Sequence, residues 1–295
     1  MMIVDFHTHT FPDKIAAPTV DKLQSAAHIR PFTDGTIGAL SASMRAAGIS
    51  YSVNLPVATS PRQVAQINDT AARINARTAE TGVLSFGCMH PDYENYRAEL
   101  ARVAALGIRG VKLHPPYQGA DFDDIRYLRI LERAGEVGLV VLTHAGLDIG
   151  LPDADRVTPG MIARAIRAAG PVKLICAHMG GWRQWDAVEE LLPDTGVYLD
   201  TSFSLGRITP NGDGFPWTEA ELPLMERERF TRIIQAFGAE RILFGTDSPW
   251  GGQAEALRLF RELPLTDDEQ TAILGGNAAG LLSLPERVSE RSGTA

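Results

Sequence analysis

Five apolar runs in this 295-residue chain end on side chains that can hold a metal ion. The first reads Val4-Asp5-Phe6-His7-Thr8-His9. Two histidines two positions apart on an extended strand project to one face and can grip one ion. The others read Val111-Lys112-Leu113-His114-Pro115, Leu142-Thr143-His144-Ala145, Cys176-Ala177-His178-Met179 and Phe244-Gly245-Thr246-Asp247. Imidazoles from His144 and His178 and a carboxylate from Asp247 complete a donor set that suits zinc or a similar divalent cation. A lone strand-end histidine is more often a hydrogen-bonded core residue than a ligand. Here the same placement recurs at His7, His9, His144, His178 and Asp247.

Lys112 is the odd member. A free ammonium beside cations is repelled, so the lysine must be unprotonated, be converted to a carboxylate-like carbamate, or bind an anionic substrate or a nearby carboxylate. His114 lies on the same side of its strand as Lys112 and can contact substrate. Arg183, Arg207, Trp182, Trp217 and Trp250 fall in loops, where they serve substrate recognition or surface packing. His28 reads as a solvated loop residue, and His90 as a structural support.

The elements that must position these groups follow a regular rhythm. Short β-branched runs cover 2–6, 50–56, 83–89, 108–113, 139–143, 173–177, 197–201 and 241–245. Helical spacing fills 61–80, 93–106, 124–137 and 159–169, the last opening on Thr158-Pro159 and closing on Gly170. Gly82, Gly107, Gly138, Gly170 and Gly196 mark the turns from helix back into strand. Apolar strands separated by helices predict a parallel sheet covered by helices. Eight such units predict a single-domain α/β fold, a closed (β/α)8 TIM barrel over 1–284, with a disordered tail over 285–295. An open doubly wound sheet would carry Gly-x-Gly-x-x-Gly after its first strand, and none is present. In a barrel the strand ends converge on the axis, so the metal-capable residues share one pocket. Long irregular stretches over 9–34 and 202–226 interrupt the rhythm. The second follows strand seven, on the face where specificity loops lie.

Composition bounds the rest. Hydrophobic residues make up 44% and charged residues 22%, the balance of a globular chain rather than a disordered or fibrous one. A net charge of −8 argues against a nucleic-acid surface. No secretory signal and no uncharged apolar run of ~18 residues appear, so no membrane association is expected. Cys88 and Cys176 sit in apolar runs as buried thiols, which fits a cytoplasmic location.

With these pieces in this order, the sequence resembles the metal-dependent amidohydrolase superfamily over roughly residues 1–284. It is most similar to the amidohydrolase-2 branch, with its aminocarboxymuconate-semialdehyde decarboxylases and dicarboxylate lactonases. The matching pieces are Asp5-Phe6-His7-Thr8-His9, Gly110-Val111-Lys112-Leu113-His114-Pro115, Thr143-His144-Ala145-Gly146, Ala177-His178-Met179-Gly180-Gly181, Phe244-Gly245-Thr246-Asp247-Ser248-Pro249 and the closing Gly276-Asn277-Ala278-Ala279-Gly280-Leu281-Leu282. The resemblance implies a barrel with the metal at its top. In the mononuclear arrangement His7, His9, His144 and Asp247 hold one ion, and His178 orients or deprotonates water. In the binuclear one a carboxylated Lys112 bridges two ions, and His144 and His178 bind the second. A TatD-type nuclease would want glutamate at Lys112.

The expected enzyme is a metal-dependent hydrolase of a small-molecule amide, lactone or related ester-like bond. Its cofactor is one or two zinc ions, with manganese, iron and nickel as alternatives, and Asp247 serves as base. The rival is a mononuclear non-oxidative decarboxylase of a small carboxylic acid. There His178 is acid and base, and Arg183 or Arg207 anchors the carboxylate. Substrate contacts are expected from His114, Arg183, Arg207 and Trp250, and a homodimer is a family-level expectation.

Overall fold

A computed structural model describes residues 1–285, so all but Pro285 of the expected tail lies outside the described residues. All eight strands form: β1 (Val4–Thr8), β2 (Tyr51–Asn54), β3 in two pieces (Val83–Ser85 and Gly87–Cys88), β4 (Gly110–Leu113), β5 (Val140–Thr143), β6 (Leu174–Cys176), β7 (Tyr198–Asp200) and β8 (Ile242–Leu243). Each pairs in parallel with the next. Phe86 N donates to Asn54 O at 2.9 Å where β3 is interrupted. Phe6 N donates to Phe244 O at 2.7 Å, and Thr8 bridges Ser248 in parallel, so β8 returns to β1 and closes the barrel.

Two apolar clusters build the molecule. The inner one joins Val4, Phe6, Val53, Phe86, Leu142, Ile175 and Leu243 from the strands to Ala278 and Leu282 of the final helix, Asn277–Leu282. Phe6 and Phe86 meet edge to face at 5.7 Å and fill the centre. The larger cluster packs the other strand face against the helices, through Val111, Val141 and Leu199 on one side and Leu131, Ile162 and Phe230 on the other. This two-layer burial is what parallel strands apolar on both faces require.

The turn glycines at 82, 107, 138, 170 and 196 all take positive φ, between 72° and 77°. The helix Pro159–Ala169 has the expected bounds, and Thr158 caps it by accepting from Met161 N at 3.2 Å. Ile125–Glu136 is capped by Asp124. The run expected as one helix over 61–80 is divided into a 3₁₀ turn (Pro61–Gln63), a helix Val64–Asn75 and a short turn of helix Thr78–Thr81. The stretch over 9–34 contains the helix Asp13–Ala27, with Pro18 inside it. Residues 202–226 form no helix or strand of more than isolated bridges. They are clamped to the segment after Ala27: Arg30 N donates to Thr209 O at 2.8 Å, Trp217 Nε1 to His28 O at 3.1 Å, and His28 stacks on Phe215 at 4.0 Å.

No helix among the described residues is long and apolar enough to cross a membrane. Cys88 and Cys176 are buried free thiols.

Candidate metal centre

The strand ends deliver their polar side chains to one place. In β1 the pairing register shifts between Asp5 and Thr8. That irregularity lets Val4 and Phe6 pack inside while His7 still reaches the pocket. Further round, the backbone leaves regular geometry where side chains must be aimed. His178, Met179 and Asp247 adopt positive φ of 57°, 54° and 64°. Such conformations persist in non-glycine residues only where the surroundings hold them, and they gather at functional sites. Gly146, at φ 83°, lets the chain after His144 lie against Trp182; a Cβ there would sit 2.2 Å from Trp182 N.

The inner geometry is tight. His7 Nε2 lies 3.2 Å from His9 Nε2 and 3.5 Å from Asp247 Oδ1, and His9 Nε2 is 3.2 Å from the same oxygen. His144 Nδ1 and His178 Nε2 are 3.2 Å apart. Lys112 Nζ stands 3.3 Å from His7 Nε2. All five sequence-predicted ligands and Lys112 are therefore brought together, in two sets: His7 with His9 and Asp247, and His144 with His178.

The outer ring nitrogens decide where the protons sit. His9 Nδ1 is 2.8 Å from Leu55 O, His144 Nε2 is 3.1 Å from Leu147 O, and His178 Nδ1 is 3.1 Å from Ser202 O. A carbonyl oxygen only accepts, so each of these nitrogens carries the proton. His7 Nδ1 donates to Asp200 Oδ2 at 2.8 Å. Each neutral ring thus turns a bare nitrogen inward. Two bare nitrogens and a carboxylate oxygen within 3.5 Å of one another, beside a second bare-nitrogen pair, repel unless a cation lies among them. The donor set fits a divalent ion by its own chemistry, and the outer hydrogen bonds are those that orient metal-binding histidines.

Burial tunes the same groups. It lowers His7 to about 3, aided by Lys112, and pushes His114, His144 and His178 below the usual imidazole range. Burial likewise brings the Lys112 ammonium down to about 8. Burial raises the Asp247 carboxyl, but a proton or positive charge on the imidazoles that face it, His9 first, outweighs burial and holds it down to about 2, a part that a cation plays once those nitrogens are bare. The pocket keeps the His7, His144 and His178 imidazoles neutral and Asp247 ionised, the protonation states that ligands need.

Of the expected substrate contacts, only His114 joins this cluster. Its ring stacks on His144 at 4.5 Å, its Nε2 lies 3.4 Å from Asp148 Oδ2, and its buried Nδ1 has no hydrogen-bond partner. Arg183 lies over the Trp182 ring and donates to Glu221 O at 2.6 Å. Arg207 is paired with Glu219 of its own loop. Arg207 and Trp250 line a cavity with Phe203, Phe230, Phe260 and Thr246 that no histidine lines. His28 is not a free solvated residue, since its Nδ1 meets Asp213 Oδ2 at 2.7 Å. His90 is buried and accepts from Asp92 N at 3.2 Å, a structural support.

Sequence reasoning missed Asp200, Ser202, Asp148 and Asp5. Asp200 ends an apolar strand in the same manner as the residues it did find. Asp5 is fully buried and accepts from Thr246 Oγ1 at 2.6 Å and Gln253 Nε2 at 2.8 Å, tying β1 to the segment that carries Asp247.

A family model described as amidohydrolase matches residues 4–284. No curated protein matches the chain. The structure is similar to that of a 5-carboxyvanillate decarboxylase from Sphingomonas paucimobilis, at TM-score 0.67 and 17% identity over 96% of this chain and 99% of that one. A Pseudomonas putida protein described as a 2-pyrone-4,6-dicarboxylic acid hydrolase superposes at TM-score 0.62 and 20% identity, covering 96% of this chain and 97% of that one. A dihydroxybenzoic acid decarboxylase from Polaromonas, with bound manganese, superposes at TM-score 0.67 and 15% identity over 97% of this chain and 98% of that one.

Proposed function

This chain belongs to the amidohydrolase family, and on that premise we propose that it hydrolyses an amide, lactone or related ester-like bond in a small molecule. The observation that carries this reading is the division of the bare donor atoms into two sets, His7–His9–Asp247 and His144–His178. One ion would be held by the first set and one by the second, with Lys112 shared between them as a carbamate. Zinc suits this nitrogen-rich set, and manganese, which the Polaromonas relative in fold carries, is the alternative. A bound divalent ion supplies the acidification of a water and the polarisation of a carbonyl.

The chain's own groups do the rest. With its value near 8, about a tenth of Lys112 is uncharged at pH 7, so the amine nitrogen can add to CO2 and release a proton as the carbamate forms. Asp247, ionised at neutral pH, accepts the proton of the attacking water and passes it to the leaving group. His114, with its unpartnered Nδ1 beside His144, contacts the substrate.

A second reading, decarboxylation of a small carboxylic acid, is favoured by Lys112 if it stays an ammonium. It would then hold a substrate carboxylate in place of Arg183 and Arg207, which are engaged in the loop over 202–226. Two of the fold relatives named above are decarboxylases.

One experiment separates the readings. The protein is loaded with zinc or manganese, with and without bicarbonate, and its ions per chain and intact mass are measured. It is then offered lactones, cyclic amides and phenolic carboxylic acids. Proton release without CO2, with about two ions and the added mass of one CO2, supports hydrolysis. Release of CO2 with about one ion and a bare lysine replaces hydrolysis by decarboxylation. Failure to bind any ion removes both readings.

A further inference from the structure

Asp200 ends β7 with both carboxylate oxygens occupied. Oδ2 accepts from His7 Nδ1 at 2.8 Å. Oδ1 accepts from His178 N at 3.1 Å, from Ser202 N at 3.0 Å and, in a shorter contact, from Ser202 Oγ. Because that hydroxyl gives its proton to Asp200, its oxygen is left to accept, and it lies 2.9 Å from His7 Nδ1 and 3.0 Å from His178 Nδ1. Asp200 is fully buried, and so is Ser202. Asp200 therefore receives the outer proton of His7 directly, while the outer proton of His178, from the other ligand set, is shared between Ser202 O at 3.1 Å and the Ser202 hydroxyl that Asp200 holds.

We propose that Asp200 is the positioning residue of the centre: with Ser202 it fixes the tautomers of His7 and His178 together, so that both present bare nitrogens to the ions. The proposal rests on the metal reading given above, and goes beyond it in assigning a single anchor to both sets.

The alternative role for Asp200 is as a ligand in its own right, since His7, His178 and Asp200 offer donor atoms within reach of one another. The spacing decides against it. Two donors on a tetrahedral ion with bonds near 2.1 Å stand about 3.4 Å apart, whereas His7 Nδ1 and Asp200 Oδ2 are 2.8 Å apart, a hydrogen-bond distance. Using that side of His7 would also leave its proton on Nε2, facing His9 and Asp247, where a bare nitrogen is needed.

The first test is a long-range proton–nitrogen correlation spectrum of metal-free protein labelled at histidine. His7 and His178 should both carry the proton on Nδ1. A proton on Nε2 of His7 overturns the proposal, whatever reaction the enzyme performs. The second test is Asp200→Asn, which keeps the shape but offers one acceptor where three or more donors converge. Zinc affinity of the chelator-stripped protein should fall about 10- to 100-fold, and the His7 tautomer signal should change. Ser202→Ala should cost less, under tenfold, because Asp200 Oδ2 still receives His7. Zinc affinity within twofold of wild type in a folded Asp200→Asn protein overturns the proposal, as does a loss of melting temperature with affinity unchanged. If Asp200→Asn does not fold, the wild-type spectrum and Ser202→Ala still decide. Absence of turnover on lactones and amides would sink the hydrolase reading while leaving these measurements in force.

Discussion

Asp247 combines two demands on one carboxylate: it faces the inward nitrogens of His7 and His9, and under the proposed hydrolysis it accepts a proton during turnover. Replacing it by asparagine keeps the size and one acceptor oxygen but removes the base. Asp247→Asn should lower kcat by at least about 100-fold, the usual worth of general base catalysis, with KM changed by less than about threefold. Steady-state kinetics alongside metal analysis check this; an unchanged kcat with the ions in place would remove Asp247 from the base role. The buried imidazoles make a second prediction. His7, His114, His144 and His178 all have folded values below that of an unfolded histidine, so between the two values the unfolded chain binds more protons. Their stability contribution is complete above about pH 6.5 and is lost as pH falls towards the folded values. Asp5, raised by burial to about 7, has the opposite sign: its contribution is present below about pH 4 and is lost as pH rises towards 7. Asp148, raised by burial to about 6, adds to Asp5 with the same sign, but four imidazoles outweigh two carboxyls, so the metal-free protein should melt lower at pH 5 than at pH 7.5. Calorimetry in chelator checks the direction, and a melting point higher at pH 5 would contradict it. At this scale the ligands were legible because each follows an apolar run. Asp200 carried the same signal but lay inside a predicted strand, and Asp148, in the loop four residues after His144, follows no periodicity at all.

Among the elements, the barrel's rhythm was readable because strand apolarity and helix caps are local properties. Thr158 closes the first turn of Pro159–Ala169 through one hydrogen bond to Met161 N. Thr158→Ala should cost about 1 kcal/mol in urea unfolding and leave kcat unchanged, since the cap lies outside the site. The helix Asp13–Ala27 was not readable, because Pro18 removes a donor and breaks the pattern by which helices are recognised. Nor does the sequence show that the loop over 202–226 is held down. Its attachment is the set of contacts made by Asp213, Phe215 and Trp217 with His28, which join segments far apart in the chain. Trp217→Ala removes the indole donor to His28 O. Limited proteolysis should then cut within 202–226 several-fold faster than in wild type; equal rates would show that the remaining contacts suffice.

For the whole molecule, ions held as proposed at the ends of strands β1, β5, β6 and β8 would bind the folded chain and not the unfolded one. Free zinc at 100 times its Kd should stabilise the protein by about 2.7 kcal/mol. Thermal unfolding with and without chelator checks this, and equal melting points would mean that no ion is bound in the folded state. The far end of the barrel is closed by a near approach of two backbones. Gly275, in the segment Ala272–Gly276, would place a Cβ 2.2 Å from Met2 O.

The distribution of the site along the chain has a consequence for biosynthesis. His7 and His9 emerge from the ribosome before His144 and His178, and Asp247 follows them all. Strand β1 has no partner on one side until residue 244 is available to accept from Phe6. A nascent chain therefore carries His7 and His9 without a complete pocket until β8 has been made. Capture of an ion at the proposed centre would follow docking of that strand, and a chain stalled before Asp247 would lack the carboxylate that completes the first set.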